Sequence, residues 1–145
     1  MKKAICVSGS VGSGKTTYAK KLAKKLKAKY VDVNEIIKKN SLVESYDKKR
    51  KCNVVDIKEL KKTLEKMIKH SKEKLVIDSH MSHFLDPKLV EYVIIVRTSL
   101  KKLRNRLEKR NYSKKKIDEN LEVEIMEVCL NEAKELGHNI KIVET

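Results

Sequence analysis

Eight residues near the start of the chain restrict it more than anything that follows. Gly9-Ser10-Val11-Gly12-Ser13-Gly14-Lys15-Thr16 satisfies the pattern GxxxxGK[ST] at every position. The chain holds only four glycines, and three of them, Gly9, Gly12 and Gly14, fall inside this octet. Glycine concentrated in a chain that otherwise avoids it marks a backbone path that side chains would obstruct. The flanks fit the same reading. The apolar run from Lys3 to Ser8 enters the loop as a buried strand would, and Ala19, Leu22, Ala23 and Leu26 leave it at helical spacing, predicting a helix from Lys15 to Lys27. Strand, glycine loop and helix in this order aim successive backbone N–H groups and a helix N-terminus at one point, which suits phosphate oxygens. In that cradle the backbone of Gly12, Ser13 and Gly14 wraps a nucleoside triphosphate and Lys15 reaches its β- and γ-phosphates. The Thr16 hydroxyl ligates Mg²⁺ and Thr17 touches the α-phosphate. The competing reading, a glycine turn with a surface lysine, has no use for the flanking strand and helix.

The remaining pattern alternates strands with helices. Tyr30-Val31-Asp32-Val33 reads as a strand, with Asn34 placed to cap the short helix after it. Residues 40–55 are charged and show little periodicity. Ile57, Leu60, Leu64, Met67 and Ile68 form the stripe of an amphipathic helix, and Leu75-Val76-Ile77-Asp78 is a short buried strand. Tyr92-Val93-Ile94-Ile95-Val96 is another, closed by Arg97; neither run alternates, as expected of parallel strands covered on both faces. Leu100, Leu103 and Leu107 mark a helix. Ile117, Leu121, Ile125, Val128 and Leu136 predict one longer helix stopped at Gly137, before a last strand at Ile140-Lys141-Ile142-Val143. The expectation is an α/β fold, with a parallel sheet and right-handed crossovers, in one domain over residues 1–145.

Three further groups carry chemistry. Asp78 ends a strand, where a carboxylate beside a phosphate loop serves the metal, usually through water. His80, two residues on, faces the γ-phosphate in the functional reading and is a satisfied loop histidine in the bland one. Its HxxH spacing with His83 suggests zinc, but a zinc site needs three or four convergent ligands and the cysteines are remote. The third group is the arginines. Lysine outnumbers arginine 30 to 5, yet four of the five arginines fall between Arg97 and Arg110. A guanidinium offers the planar fork that an ammonium lacks, and this fork suits a phosphoryl group in transfer. Arg106 and Arg110 share a helical face leading to Asn111-Tyr112-Ser113, where a mobile lid would carry them over ATP. Arg97 reads as an anchor of its strand end and Arg104, off that face, as solvated.

Composition limits the partners. A net charge of +15 fits either a polyanionic partner such as RNA or a solvated lysine coat. No run approaches the ~20 apolar residues of a membrane helix. Cys6, Cys52 and Cys129 are odd in number and widely spaced, which fits a reduced cytoplasm. No NKxD segment reads guanine, and one phenylalanine leaves no aromatic platform for RNA bases.

Taken together these residues resemble the small adenylate-kinase-like ATPases of archaea and eukaryotes that act in small ribosomal subunit maturation. The matching positions are the loop through Thr17, Tyr46-Asp47, Cys52, Asp78-x-His80, Arg97-Thr98, Arg106-Leu107-Glu108-Lys109-Arg110-Asn111-Tyr112, Asn120 and Glu124-Ile125. The resemblance implies a P-loop nucleoside monophosphate kinase fold: a five-stranded parallel sheet flanked by helices. It also implies a small acceptor-binding insert near residues 32–55 and a lid near residues 109–119. It further implies transfer of the ATP γ-phosphate to AMP and other monophosphates, ATP hydrolysis, and contact with ribosomal protein uS11 and 30S pre-rRNA, by a cytoplasmic monomer. Catalysis then falls to Lys15, Asp78, His80, Arg106 and Arg110, with Thr16 and Asp78 on Mg²⁺. Two positions depart from the family pattern: Asn111 stands where glycine is usual and Lys38 where arginine is frequent. The chain also closes at Thr145, short of the C-terminal helix of longer relatives. Two other functions fit the same motifs: a ribosome-assembly ATPase with incidental kinase activity, and a small-metabolite P-loop kinase.

Overall fold

The computed structural model describes residues 4–40, 43–47, 52–79 and 84–145. Five parallel strands form the sheet: β1 (Ala4–Gly9), β2 (Lys29–Asp32), β5 (Leu75–Asp78), β6 (Val90–Arg97) and β7 (Ile140–Glu144), in the order β2-β5-β1-β6-β7. β1 is wholly buried at the centre, which is why it reads as an unbroken apolar run. Between the strands lie α1 (Lys15–Leu26), α2 (Val33–Lys39), α3 (Ile57–His70), α4 (Leu100–Lys109), α5 (Lys114–Ile125) and α6 (Val128–Glu135).

The two faces of the sheet bury different clusters. Ile5, Val7, Val76, Ile94 and Val96 pack under Ala19 and Ala23 of α1. On the opposite face Cys6, Val31, Ile77, Val93 and Ile95 meet Leu60, Leu64 and Ile68 of α3 and Leu130 and Ala133 of α6. Alternate residues of each strand thus serve opposite layers, the three-layer arrangement of an α/β domain. A third cluster joins Leu103 and Leu107 of α4 to Ile117 and Leu121 of α5, with Val11 of the glycine loop against it.

Several sequence expectations change. The region from 40 to 55, read as featureless, contains an antiparallel pair, β3 (Val43–Asp47) and β4 (Cys52–Val55), as a separate two-stranded sheet. The cap of α2 is Asp32, whose carboxylate accepts from the Asn34 N–H at 2.9 Å, and Asn34 lies inside the helix. Residues 114–119 open α5, whose Ile117 is buried against α4, and a helix there is compatible with the expected lid. The single long helix expected over Ile117–Leu136 is two, α5 and α6, broken at Glu127 with φ 52°. Ile125 and Leu136 accordingly lie in the open rather than in the core.

Candidate active site

The phosphate loop leaves the carboxyl end of the central strand, where an open α/β sheet gathers its ligands. Two glycine positions show why the sequence needs them. A Cβ on Gly9 would stand 2.6 Å from the Val96 carbonyl oxygen of the paired strand. Gly14, with φ 90°, turns the chain into α1 through the left-handed region that L-residues rarely occupy. Asp32, Asp56, Ser99 and Ser113 each cap the helix that follows them with a side-chain oxygen, but α1 has no such cap and no acidic residue in its first turn. Its first amides keep their donors for another acceptor.

Beside this helix start lies a cavity of about 630 Å³, lined by Gly12, Gly14, Thr17, Tyr18, Lys21, Arg106, Lys109, Arg110 and Thr145. That volume is in the range of small-molecule and cofactor sites. Thr16 and Thr17 are exposed on the first turn of α1, and Lys15 is half-buried. Burial lowers the Lys15 pKa below the usual amine range; Asp78 opposes the shift and the nearby Arg110 adds to it. A phosphate docked against Lys15 would reverse the shift.

Asp78 is buried at the end of β5. Its Oδ2 accepts a hydrogen bond from the Tyr30 hydroxyl at 2.6 Å, while Oδ1 is buried with no hydrogen-bond partner. Buried polar atoms are rarely left unpaired, so a lone carboxylate oxygen beside Lys15 fits a hydrated cation. The exposed Thr16 hydroxyl supplies a second hard oxygen of the type Mg²⁺ takes. The residues present therefore fit MgATP.

The two arginines diverge. Arg106 also lines the cavity, but it donates through Nη1 to the Gly12 carbonyl at 3.0 Å and to the Thr145 hydroxyl at 3.4 Å, so its guanidinium braces the loop. Arg110, at the end of α4, lines the cavity and lies within electrostatic reach of Lys15. Arg97 binds the end of α5: its Nε donates to Glu124 Oε1 and Nη2 to the Glu124 carbonyl, both at 2.9 Å, and it pairs with Glu127. His80 and His83 lie outside the described residues. Two residues at the site escaped the sequence reading. Tyr30 stands in a strand where a tyrosine raises no suspicion, and Thr145 reaches the loop from the last position of the chain with no motif around it.

A family model described as AAA domain matches residues 5–127. A Schizosaccharomyces pombe protein named adenylate kinase isoenzyme 6 homolog is 37% identical over 132 residues, covering 90% of this chain and 74% of that one. The chain belongs to this family. A further relative of Methanocaldococcus jannaschii, provisionally named adenylate kinase, is 37% identical over 130 residues, covering 90% of this chain and 71% of its own. Among solved structures, a shikimate kinase from Acinetobacter baumannii superposes with a TM-score of 0.64 at 15% identity, covering 97% of this chain and 83% of that one. At that identity the likeness is one of fold, and the fold is that of P-loop kinases. Asn111, which stands where the resemblance expects glycine, has φ 58°, and asparagine is among the few residues besides glycine that enter the left-handed region readily.

Proposed function

We propose that this protein is a nucleoside monophosphate kinase of adenylate kinase type, converting ATP and AMP to two ADP and hydrolysing ATP when no acceptor is bound. The observation that carries this reading is the meeting of four features at one sheet edge. They are the uncapped start of α1, Lys15, the free oxygen of Asp78 and the cavity under Arg110. In this reading the loop backbone at Gly12, Ser13 and Gly14 with Thr17 holds the α- and β-phosphates, and Lys15 bridges toward the γ-phosphate. Mg²⁺, held by Thr16 and through water by Asp78, would neutralise charge on the phosphate oxygens. A phosphate oxygen of AMP bonds to the γ-phosphorus while the bond from that phosphorus to the β,γ-bridging oxygen breaks, leaving ADP on both sides. Arg110 spreads its fork over the equatorial oxygens as their charge grows, and Arg106 steadies the loop that aligns them. His80 orients the attacking water during hydrolysis. Residues 32–55 form the acceptor insert and residues 109–119 the lid of a single domain spanning 1–145, acting as a cytoplasmic monomer.

A second reading is favoured by one observation, the net charge of +15. It is an assembly ATPase whose hydrolysis cycle governs its hold on 30S pre-rRNA and ribosomal protein uS11. Product analysis separates the two. MgATP is incubated with and without each monophosphate, using Lys15→Ala as the control. Diphosphate formed from both nucleotides supports the kinase. ADP and free phosphate at a rate indifferent to acceptor supports the assembly ATPase. Residual activity of Lys15→Ala within about tenfold of the parent would remove the P-loop from either mechanism.

A further inference from the structure

We infer that Tyr30 is a positioning residue that holds the Asp78 carboxylate of the metal side in the orientation a cation requires. The inference rests on the reading of Thr16 and Asp78 as the Mg²⁺ groups and adds a residue that no motif assigns.

The placement comes from strand register. β2 is an edge strand paired to β5, with Tyr30 opposite Val76 and Asp32 opposite Asp78. Side chains two apart on a strand share a face, so Tyr30 and Asp78 point to one side of the sheet. That side is the one α1 covers, where Tyr30 packs against the cluster of Ile5, Val7 and Ala19. Lys20 of α1 meets Tyr30 as well, its ammonium lying 5.6 Å from the ring centre.

A tyrosine hydroxyl has one proton, and Tyr30 gives it to Asp78 Oδ2. That bond fixes the carboxylate and leaves Oδ1 as the oxygen without a partner. One phenol thus selects the free oxygen of Asp78. Outer partners of this kind orient metal groups and are felt strongly in metal affinity.

Tyr30→Phe removes the hydroxyl and keeps the ring. The test is equilibrium binding of a fluorescent, non-hydrolysable ATP analogue, titrated with MgCl₂ and repeated in EDTA, with the melting temperature of the metal-free protein measured beside it. The expected result is a rise of about tenfold in the Mg²⁺ concentration that half-saturates tight nucleotide binding. Metal-free nucleotide affinity should stay within about twofold, because the P-loop amides and Lys15 are untouched. Tyr30→Phe placed on Asp78→Asn should shift the Mg²⁺ midpoint no further than Asp78→Asn does. An unchanged Mg²⁺ midpoint in Tyr30→Phe, with Asp78→Asn shifting it, would overturn the role of Tyr30 alone. Equal losses with and without Mg²⁺ would make Tyr30 a packing residue and overturn it too. No shift from either Asp78→Asn or Thr16→Ala would overturn the metal assignment itself, and the inference with it.

Discussion

Arg106 and Arg110 stand one helical turn apart, and the fold gives them separate surroundings. Both line the cavity, but the Arg106 guanidinium is engaged by the Gly12 carbonyl and Thr145, whereas Arg110 lies within electrostatic reach of Lys15. Arg110→Lys keeps the charge and loses the fork, so turnover should fall by about tenfold or more with little change in ATP affinity. Arg106→Lys should do the reverse, weakening nucleotide binding more than it slows turnover, because what it loses is the brace on the loop. Steady-state kcat and KM for both variants, with Arg104→Lys as a near-neutral control, check this. Matching behaviour of the Arg106 and Arg110 variants would mean the two share one role. These arginines were legible because lysine is the default cation of the chain, so each arginine needs a reason. Tyr30 was not legible. Its importance depends on which residue the adjacent strand sets beside it, and strand register is not written in a single sequence.

At the scale of elements, the break between α5 and α6 is the instructive case. Nothing local announces it, for Met126 and Glu127 are neither glycine nor proline. The cause is some thirty residues away: Arg97 binds the Glu124 carboxylate, the Glu124 carbonyl and Glu127 together, drawing the last turn of α5 toward the end of β6. Glu127 holds a left-handed conformation to permit this. Glu127→Ala should therefore be less stable than Glu127→Gly by about 1 kcal/mol, since both lose the ion pair and only alanine retains the backbone strain. Urea unfolding midpoints of the two variants measure the difference, and equal midpoints would mean the strain is absent. Elements with a strong local signal were easier. The glycine octet, the stripe of α3 and the unbroken apolar strands announced themselves, because burial on a face leaves a period in the sequence. The β3–β4 pair left none.

For the molecule as a whole, charge and architecture pull apart. The sheet order and the glycine loop commit the carboxyl edge of the sheet to a nucleotide, whereas +15 charges are far more than one triphosphate needs. No helix among the described residues is long and apolar enough to cross a membrane. If the excess charge serves a nucleic acid, binding to a fragment of small-subunit rRNA should weaken at least about tenfold between about 50 and 200 mM salt. Filter binding at a series of salt concentrations reads this directly. An affinity indifferent to salt, or no binding at low salt, would leave the lysines as a solvated coat. The parallel sheet itself was foreseeable from alternating strands and helices, but the order of its strands was not, since several orders satisfy the same alternation.

One feature at the rim of the sheet ties these scales together. The Thr145 hydroxyl donates to the Ser13 carbonyl at 2.6 Å, its backbone N–H donates to the Arg97 carbonyl at 2.8 Å, and Arg106 reaches it from α4. In mechanical terms, the end of β7 is clamped to the phosphate loop. A displacement of that edge strand would reach Ser13 through a single side-chain hydrogen bond, although 132 residues of chain separate the two.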